Sequence, residues 1–175
     1  MSIGEKELQE KLARYLKKWF NVELEVWSID RKCRIDIAMI HKTDILKIYP
    51  IGIEIKTFDK KTGADAGKWL KQASKYSELD FTGYGKMLII VAPQFSENVF
   101  SEGLLMHKHL QEHGSAGQAH NVSTFLGQFN LGEFQRYNFE NHYTHSIERK
   151  SRIVFNGLII WDEKRDTFRP QNIKR

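Results

Sequence analysis

The chain has 175 residues, 41% of them hydrophobic, about the size of one ordinary domain and enough to bury a single core without disulfides or a structural metal. Lys and Arg outnumber Asp and Glu by 27 to 22, giving a net charge of +5 and a pI near 9.2, which suits an anionic partner without specifying one. The lone cysteine, Cys33, excludes an intrachain disulfide and leaves no partners for a zinc site of the usual four-ligand kind.

A reducing, cytoplasmic setting fits that cysteine usage. Ser2 to Glu7 is charged where a secretion signal needs an apolar stretch, and the longest apolar run, Met87 to Ala92, is too short to span a bilayer. A soluble chain with no membrane partner is expected.

Leu8, Leu12, Leu16 and Trp19, with Tyr15 beside them, recur at three- and four-residue spacing, so residues 4–20 read as an amphipathic helix that packs on a flat surface. Three β-rich runs follow, Val22–Ile29, Arg34–Ile40 and Ile45–Thr57. Pro50 and Gly52 predict a bend or bulge in the third run just before Ile53-Glu54-Ile55-Lys56. From Asp65 to Leu79 the spacing is helical again, and Lys86–Ala92 is a short buried-type strand. Ser96–His113 reads as a further helix, while residues 114–150 show no clear period and residues 152–169 resemble a terminal strand or hairpin. One domain over residues 1–175 is expected, with a core over about 4–92 and a C-terminal elaboration over about 93–175.

The chemistry is concentrated in two strands. Asp36 interrupts the run Arg34-Ile35-Asp36-Ile37-Ala38, and Glu54 and Lys56 interrupt the apolar run eighteen residues later. Burying such charges without partners is costly. Side chains at i and i+2 share a strand face, so Glu54 and Lys56 point the same way and an adjacent antiparallel strand can set Asp36 beside them. Two carboxylates of this kind can hold Mg²⁺ or Mn²⁺ while leaving room for water and a phosphate, and a neighbouring ammonium can orient the hydroxide. Taken alone, the same three charges are more often structural, as a buried ion pair between Lys56 and either acid or as charges on a solvated strand face.

The helix, the three strands, Asp36, the Glu54-Ile55-Lys56 tripeptide and the helix and strand that follow resemble the PD-(D/E)XK nuclease superfamily over about residues 4–92. The resemblance implies an α/β (α+β) restriction-endonuclease-like core, a central mixed sheet flanked by helices in the order αβββαβ. It also implies Asp36, Glu54 and the Ile55 carbonyl as metal ligands and Lys56 as the catalytic lysine. Ile35 stands where the motif's name places proline. Gln72-Ala73-Ser74-Lys75-Tyr76 resembles the Gln-x-x-x-Tyr motif of the RecB-like branch, and residues four apart share a helix face, so Gln72 and Tyr76 can both look toward the metal site. Packing against Trp69 is the alternative role for Tyr76. Relatives also carry a glutamate on the first helix; Glu5 shares the face of Leu8 and is the candidate here, the alternative being an acid that simply suits the helix N-terminus.

Lys68, Lys71 and Lys75 form a stripe on the second helix that suits a phosphate backbone or an ordinary solvated face. His107, His109 and His113 read as structural or solvent-facing, and the aromatics of Phe125–Tyr143 read as core packing rather than as a base-stacking surface. The expectation is a Mg²⁺-dependent deoxyribonuclease, with Mn²⁺ substituting and DNA as partner, of a size that suits a phage or mobile-element nuclease. The alternatives are a non-catalytic DNA-binding or interaction module that keeps the fold, and a nuclease directed at RNA or DNA junctions. A homo-oligomer is compatible with the sequence, and neither endonuclease nor exonuclease action is favoured.

Overall fold

The computed structural model describes residues 4–56, 66–92 and 126–173, with side chains from residue 70 onward in the middle segment. The helix expected over Ser96–His113, with His107, His109 and His113, lies outside the described residues, as does the side chain of Lys68.

Helix α1 spans Glu5–Leu16, with Glu5 and Glu7 in its first turn where negative charge favours the helix dipole. Leu16 and Ala13 are buried and Leu8, Leu12, Tyr15 and Trp19 are packed against the same core, so the periodicity names the inward face correctly. The helix stops short of Trp19, whose N–H turns back to the Leu16 carbonyl at 3.0 Å.

Strands β1 (Phe20–Trp27) and β2 (Arg34–His41) pair antiparallel in one register from Phe20↔His41 to Trp27↔Arg34. Asp30 builds their connection: its Oδ1 accepts the Ser28 hydroxyl at 2.6 Å and the Lys32 N–H at 3.1 Å. Arg31 takes a left-handed φ of 56° in that turn. Strand β3 is confined to Ile51–Ile55, shorter than the run that starts at Ile45. The shortening has a physical cause. Asp44 accepts the backbone N–H groups of Ile48 and Tyr49 and Lys47 is left-handed at φ 53°, which commits 44–49 to a turn and leaves Ile45 and Leu46 exposed despite their apolar character.

The expected bulge at Gly52 is absent: Gly52 pairs regularly with Ala38. A Cβ there would come within 2.8 Å of Ile89 Cδ1 and 3.2 Å of Ile35 Cγ1, so the glycine serves close packing.

Helix α2 (Ala66–Tyr76) leads through a small hairpin, β4 (Asp80–Phe81) with β5 (Gly85–Lys86), into β6 (Leu88–Ala92), which lies parallel to β3. The C-terminal half adds β7 (Leu131–Asn141), β8 (Ser146–Phe155), β9 (Leu158–Asp162) and β10 (Thr167–Phe168). Among the described residues these form one mixed eight-stranded sheet in the order β1-β2-β3-β6-β7-β8-β9-β10, with β7 parallel to β6 and the remaining strands antiparallel to their neighbours. The region over 131–150, which shows no sequence period, is therefore largely strand.

The fold is α+β, with α1 on one face of the sheet and α2 on the other. Below α1 lie Phe20, Met39, Ile53, Ile90, Phe134 and Trp161; against α2 lie Val26, Ile35, Ile89, Val91 and Leu131. Phe20 and Trp161 meet edge-on at 5.2 Å, and the ring of buried His41 stacks on Phe168 at 4.9 Å, so the far end of the sheet returns to β1 and β2 on the α1 side. Such aromatic pairs contribute about 1 kcal/mol each beyond the area they bury.

Candidate active site

The β2–β3 ladder ends at Ile37↔Ile53. One residue beyond, the carboxylate of Asp36 replaces the missing strand partner, its Oδ2 accepting the Ile55 N–H at 2.7 Å. Ile55 is thus held by a side chain of β2, while the next N–H, that of Lys56, donates to the Ala92 carbonyl of β6 at 3.0 Å. A polar notch opens where apolar strands diverge.

Glu54 is in register with Val91, whose side chain belongs to the α2 core, so Glu54 also points to the α2 face. Its side chain is 6% exposed and its Oε1 receives Lys56 Nζ at 3.0 Å. The other oxygen, Oε2, is buried with no hydrogen-bond partner among the described residues. Burial first, and then the neighbouring charge of Asp36, push the Glu54 carboxyl up to about 7 against the pull of Lys56. Asp36 is raised as well, by burial above all, with the Ile55 N–H and Lys56 opposing. Burial pulls the Lys56 ammonium down, but Glu54, Glu5 and Asp36 outweigh it and leave Lys56 raised. The three charges do not cancel: the notch carries excess negative charge in a poorly hydrated place.

Helix α1 supplies the floor. Gln9, buried on its inward face, donates Nε2–H to the Asp36 carbonyl at 2.7 Å. Glu5 lies one turn earlier on the same face and raises both Asp36 and Glu54. It is within electrostatic reach of the pair. Among the described residues, however, no three His, Cys, Asp or Glu side chains gather into a compact metal cluster. Gln9 is a site residue that the sequence pattern did not single out; its only signal is an amide one turn from Glu5 on the buried side.

From the opposite face α2 contributes Tyr76, which is buried, and the exposed Gln72, whose Nε2–H donates to the Tyr76 hydroxyl at 2.8 Å. Burial, and then the charge of Glu54, push the Tyr76 phenol up to about 12, which keeps this hydroxyl protonated. Tyr76 also packs edge-on against Phe81 at 6.4 Å. Lys71 and Lys75 are exposed.

Comparison with protein-family models and with curated proteins finds no match. The geometry stands by itself. Asp36, Glu54, Ile55 and Lys56 meet at the notch, Glu5 and Tyr76 are coupled to its carboxylates electrostatically, Gln72 reaches only Tyr76, and Lys71 and Lys75 are exposed on α2.

Proposed function

We propose that the chain is a Mg²⁺-dependent deoxyribonuclease of the PD-(D/E)XK superfamily, RecB-like branch, that hydrolyses phosphodiester bonds in DNA. The observation that carries this reading is the meeting of Asp36 and Glu54 beside Lys56 at the open end of the β2–β3 ladder, with one Glu54 oxygen buried and unpartnered among the described residues. The element order supports it: α1, three antiparallel strands, α2, and then β6 parallel to β3. So does the Gln72–Tyr76 hydrogen bond on α2, with the Tyr76 hydroxyl in the field of both carboxylates.

The donor set fits a divalent cation. A buried and a half-buried carboxyl whose pKa values are both raised, with a single ammonium paired to Glu54, leave negative charge that a hard cation would neutralise, and the Glu54 oxygen without a partner among the described residues is free to serve as a ligand. Asp36, Glu54 and the Ile55 carbonyl would hold Mg²⁺ or Mn²⁺, with Glu5 joining from α1. When bound, such an ion lowers the pKa of a water and offsets charge growing on the phosphate.

The chain's own groups do the rest. Lys56 keeps its proton at neutral pH, so it orients a water or a phosphate oxygen as a cation and does not act as a base. Tyr76, also protonated, offers a hydrogen-bond donor that Gln72 positions. Gln9 fixes the Asp36 backbone, and through it the direction of the carboxylate. Lys68, Lys71 and Lys75 would grip phosphates and set affinity and salt dependence.

The test is cleavage of a substrate panel. Purified protein with Mg²⁺ or Mn²⁺ is expected to cut DNA, and chelator to stop it. Comparing single-stranded, duplex and branched DNA with RNA places the substrate. Cleavage of RNA alone overturns the DNA assignment. No cleavage of any substrate, together with no Mn²⁺-induced thermal shift, favours a non-catalytic module instead.

A further inference from the structure

The C-terminal strands carry a second feature on the same face of the sheet. Strand β7 is in register with β6 at Val91↔Glu133, as Val91 is with Glu54. Whereas β6 ends at Ala92, β7 runs on to Asn141, so its outer half overhangs the carboxyl ends of β3 and β6, where the notch opens. Glu133, Gln135, Tyr137 and Phe139 alternate onto the α2 face; Phe134 and Arg136 face α1, Arg136 lying over the Tyr15 ring at 5.3 Å.

Around Tyr137 and Phe139 lies an open cavity of about 310 Å³, lined by Ile159, Asp162, Lys164, Arg165, Thr167 of β10 and Arg169. Lys164 Nζ stands 3.7 Å from the centre of the Phe139 ring. The one carboxylate among the described lining residues is already engaged: Asp162 Oδ1 accepts the Tyr137 hydroxyl and the Lys164 N–H, both at 2.8 Å. Lys164, Arg165 and Arg169 are exposed, and none makes a salt bridge among the described residues.

We infer that this cavity binds one nucleotide of a single DNA strand, with the base against Phe139 and Tyr137 and the phosphate held by Lys164, Arg165 and Arg169. Aromatic rings beside cations that have no carboxylate partner among the described residues are the chemistry of single-strand recognition, because every base offers a π-face and every linkage a charge. By ideal strand spacings Tyr137 lies roughly 16 Å from Glu54 along the sheet. That span is about five stacked nucleotides at 3.4 Å each, so one strand can occupy the notch and the cavity together. The choice of DNA as ligand rests on the nuclease reading; the pocket's chemistry does not.

The experiment is fluorescence anisotropy of a labelled 12-nucleotide oligo-dT with the full chain in chelator, where nothing is cut. Lys164→Glu with Arg169→Glu, both at exposed positions, is expected to weaken binding at least tenfold and to lower the salt slope by about one to two. Phe139→Ala is expected to weaken oligo-dT roughly tenfold or more and duplex of the same length much less. Circular dichroism confirms that each variant is folded. Unchanged affinity in both variants, an equal loss for oligo-dT and duplex in Phe139→Ala, or binding of thymidine monophosphate as tight as that of the oligomer would each overturn the inference. The two readings fail separately. If oligo-dT binds through these residues and no substrate is ever cut, the pocket stands and the nuclease reading falls; if DNA is cut and the variants bind normally, the reverse holds.

Discussion

Replacing Glu54 by Gln is expected to stabilise the metal-free protein at pH 8 and to do little at pH 4.5. In the folded chain the Glu54 carboxyl titrates at about 7 against 4.5 for an ordinary glutamate, mainly through burial and then through Asp36. The sign follows from linkage. A raised folded-state pKa means that the stability Glu54 contributes is full below about 4.5 and is lost as pH rises through about 7. Gln has the same shape, still accepts from Lys56, and does not titrate. At about 1.4 kcal/mol per pKa unit, the stability difference between variant and wild type should move by about 3 kcal/mol in the variant's favour between those two pH values. Release of Asp36 from its charged neighbour adds to the same direction. Urea unfolding in chelator at pH 4.5, 6 and 8 measures it. A difference that stays flat with pH would show that Glu54 is not a strained, buried carboxyl and would remove the reason for expecting a cation there. With Mn²⁺ present the order should invert, wild type gaining stability and the variant gaining little.

Asp36→Asn keeps an oxygen for the Ile55 N–H and should fold with under about 1 kcal/mol lost, while Asp36→Ala orphans that donor and should cost about 1–3 kcal/mol in urea titrations. Both should lose activity. Tyr76→Phe retains the packing on Phe81 and loses the hydroxyl that Gln72 holds, so cleavage should fall with a melting temperature that barely moves. Gly52→Ala drives a Cβ against the side chains of Ile89 and Ile35 and should cost about 1–3 kcal/mol by thermal unfolding; because Gly52 and Glu54 share one five-residue strand, the lost stability should be accompanied by lost activity.

What the sequence makes legible follows the core. Leu8, Leu12 and Leu16 mark the inward face of α1 because one side of that helix is dry, and Asp36 and Glu54 are conspicuous because their neighbours on both strands are apolar and buried. Pattern fails where burial does not alternate. The outer halves of β7 and β8, from Tyr137 to Glu148, are exposed or half-buried on both faces, so no period of two is written into them. The turn at 44–49 misleads in the other sense, with Ile45, Leu46 and Ile48 apolar yet exposed because Asp44 fixes the backbone locally. Of the candidate site, single residues could be named but not the splay of β2 from β3 that brings them together. The aromatics of residues 125–143 divide: Phe134 packs in the core, as expected, whereas Phe139 and Tyr137 line the cavity.

The most direct test of the central claim is nicking of supercoiled plasmid in Mg²⁺, followed as a rate for wild type, folded Asp36→Asn and folded Lys56→Ala at equal concentration. Wild type should convert the plasmid, chelator should abolish conversion, and each variant should be slower by about a hundredfold or more. Equal rates in all three proteins, or cutting that survives chelator, would contradict the assignment of Asp36, Glu54 and Lys56 as the catalytic centre.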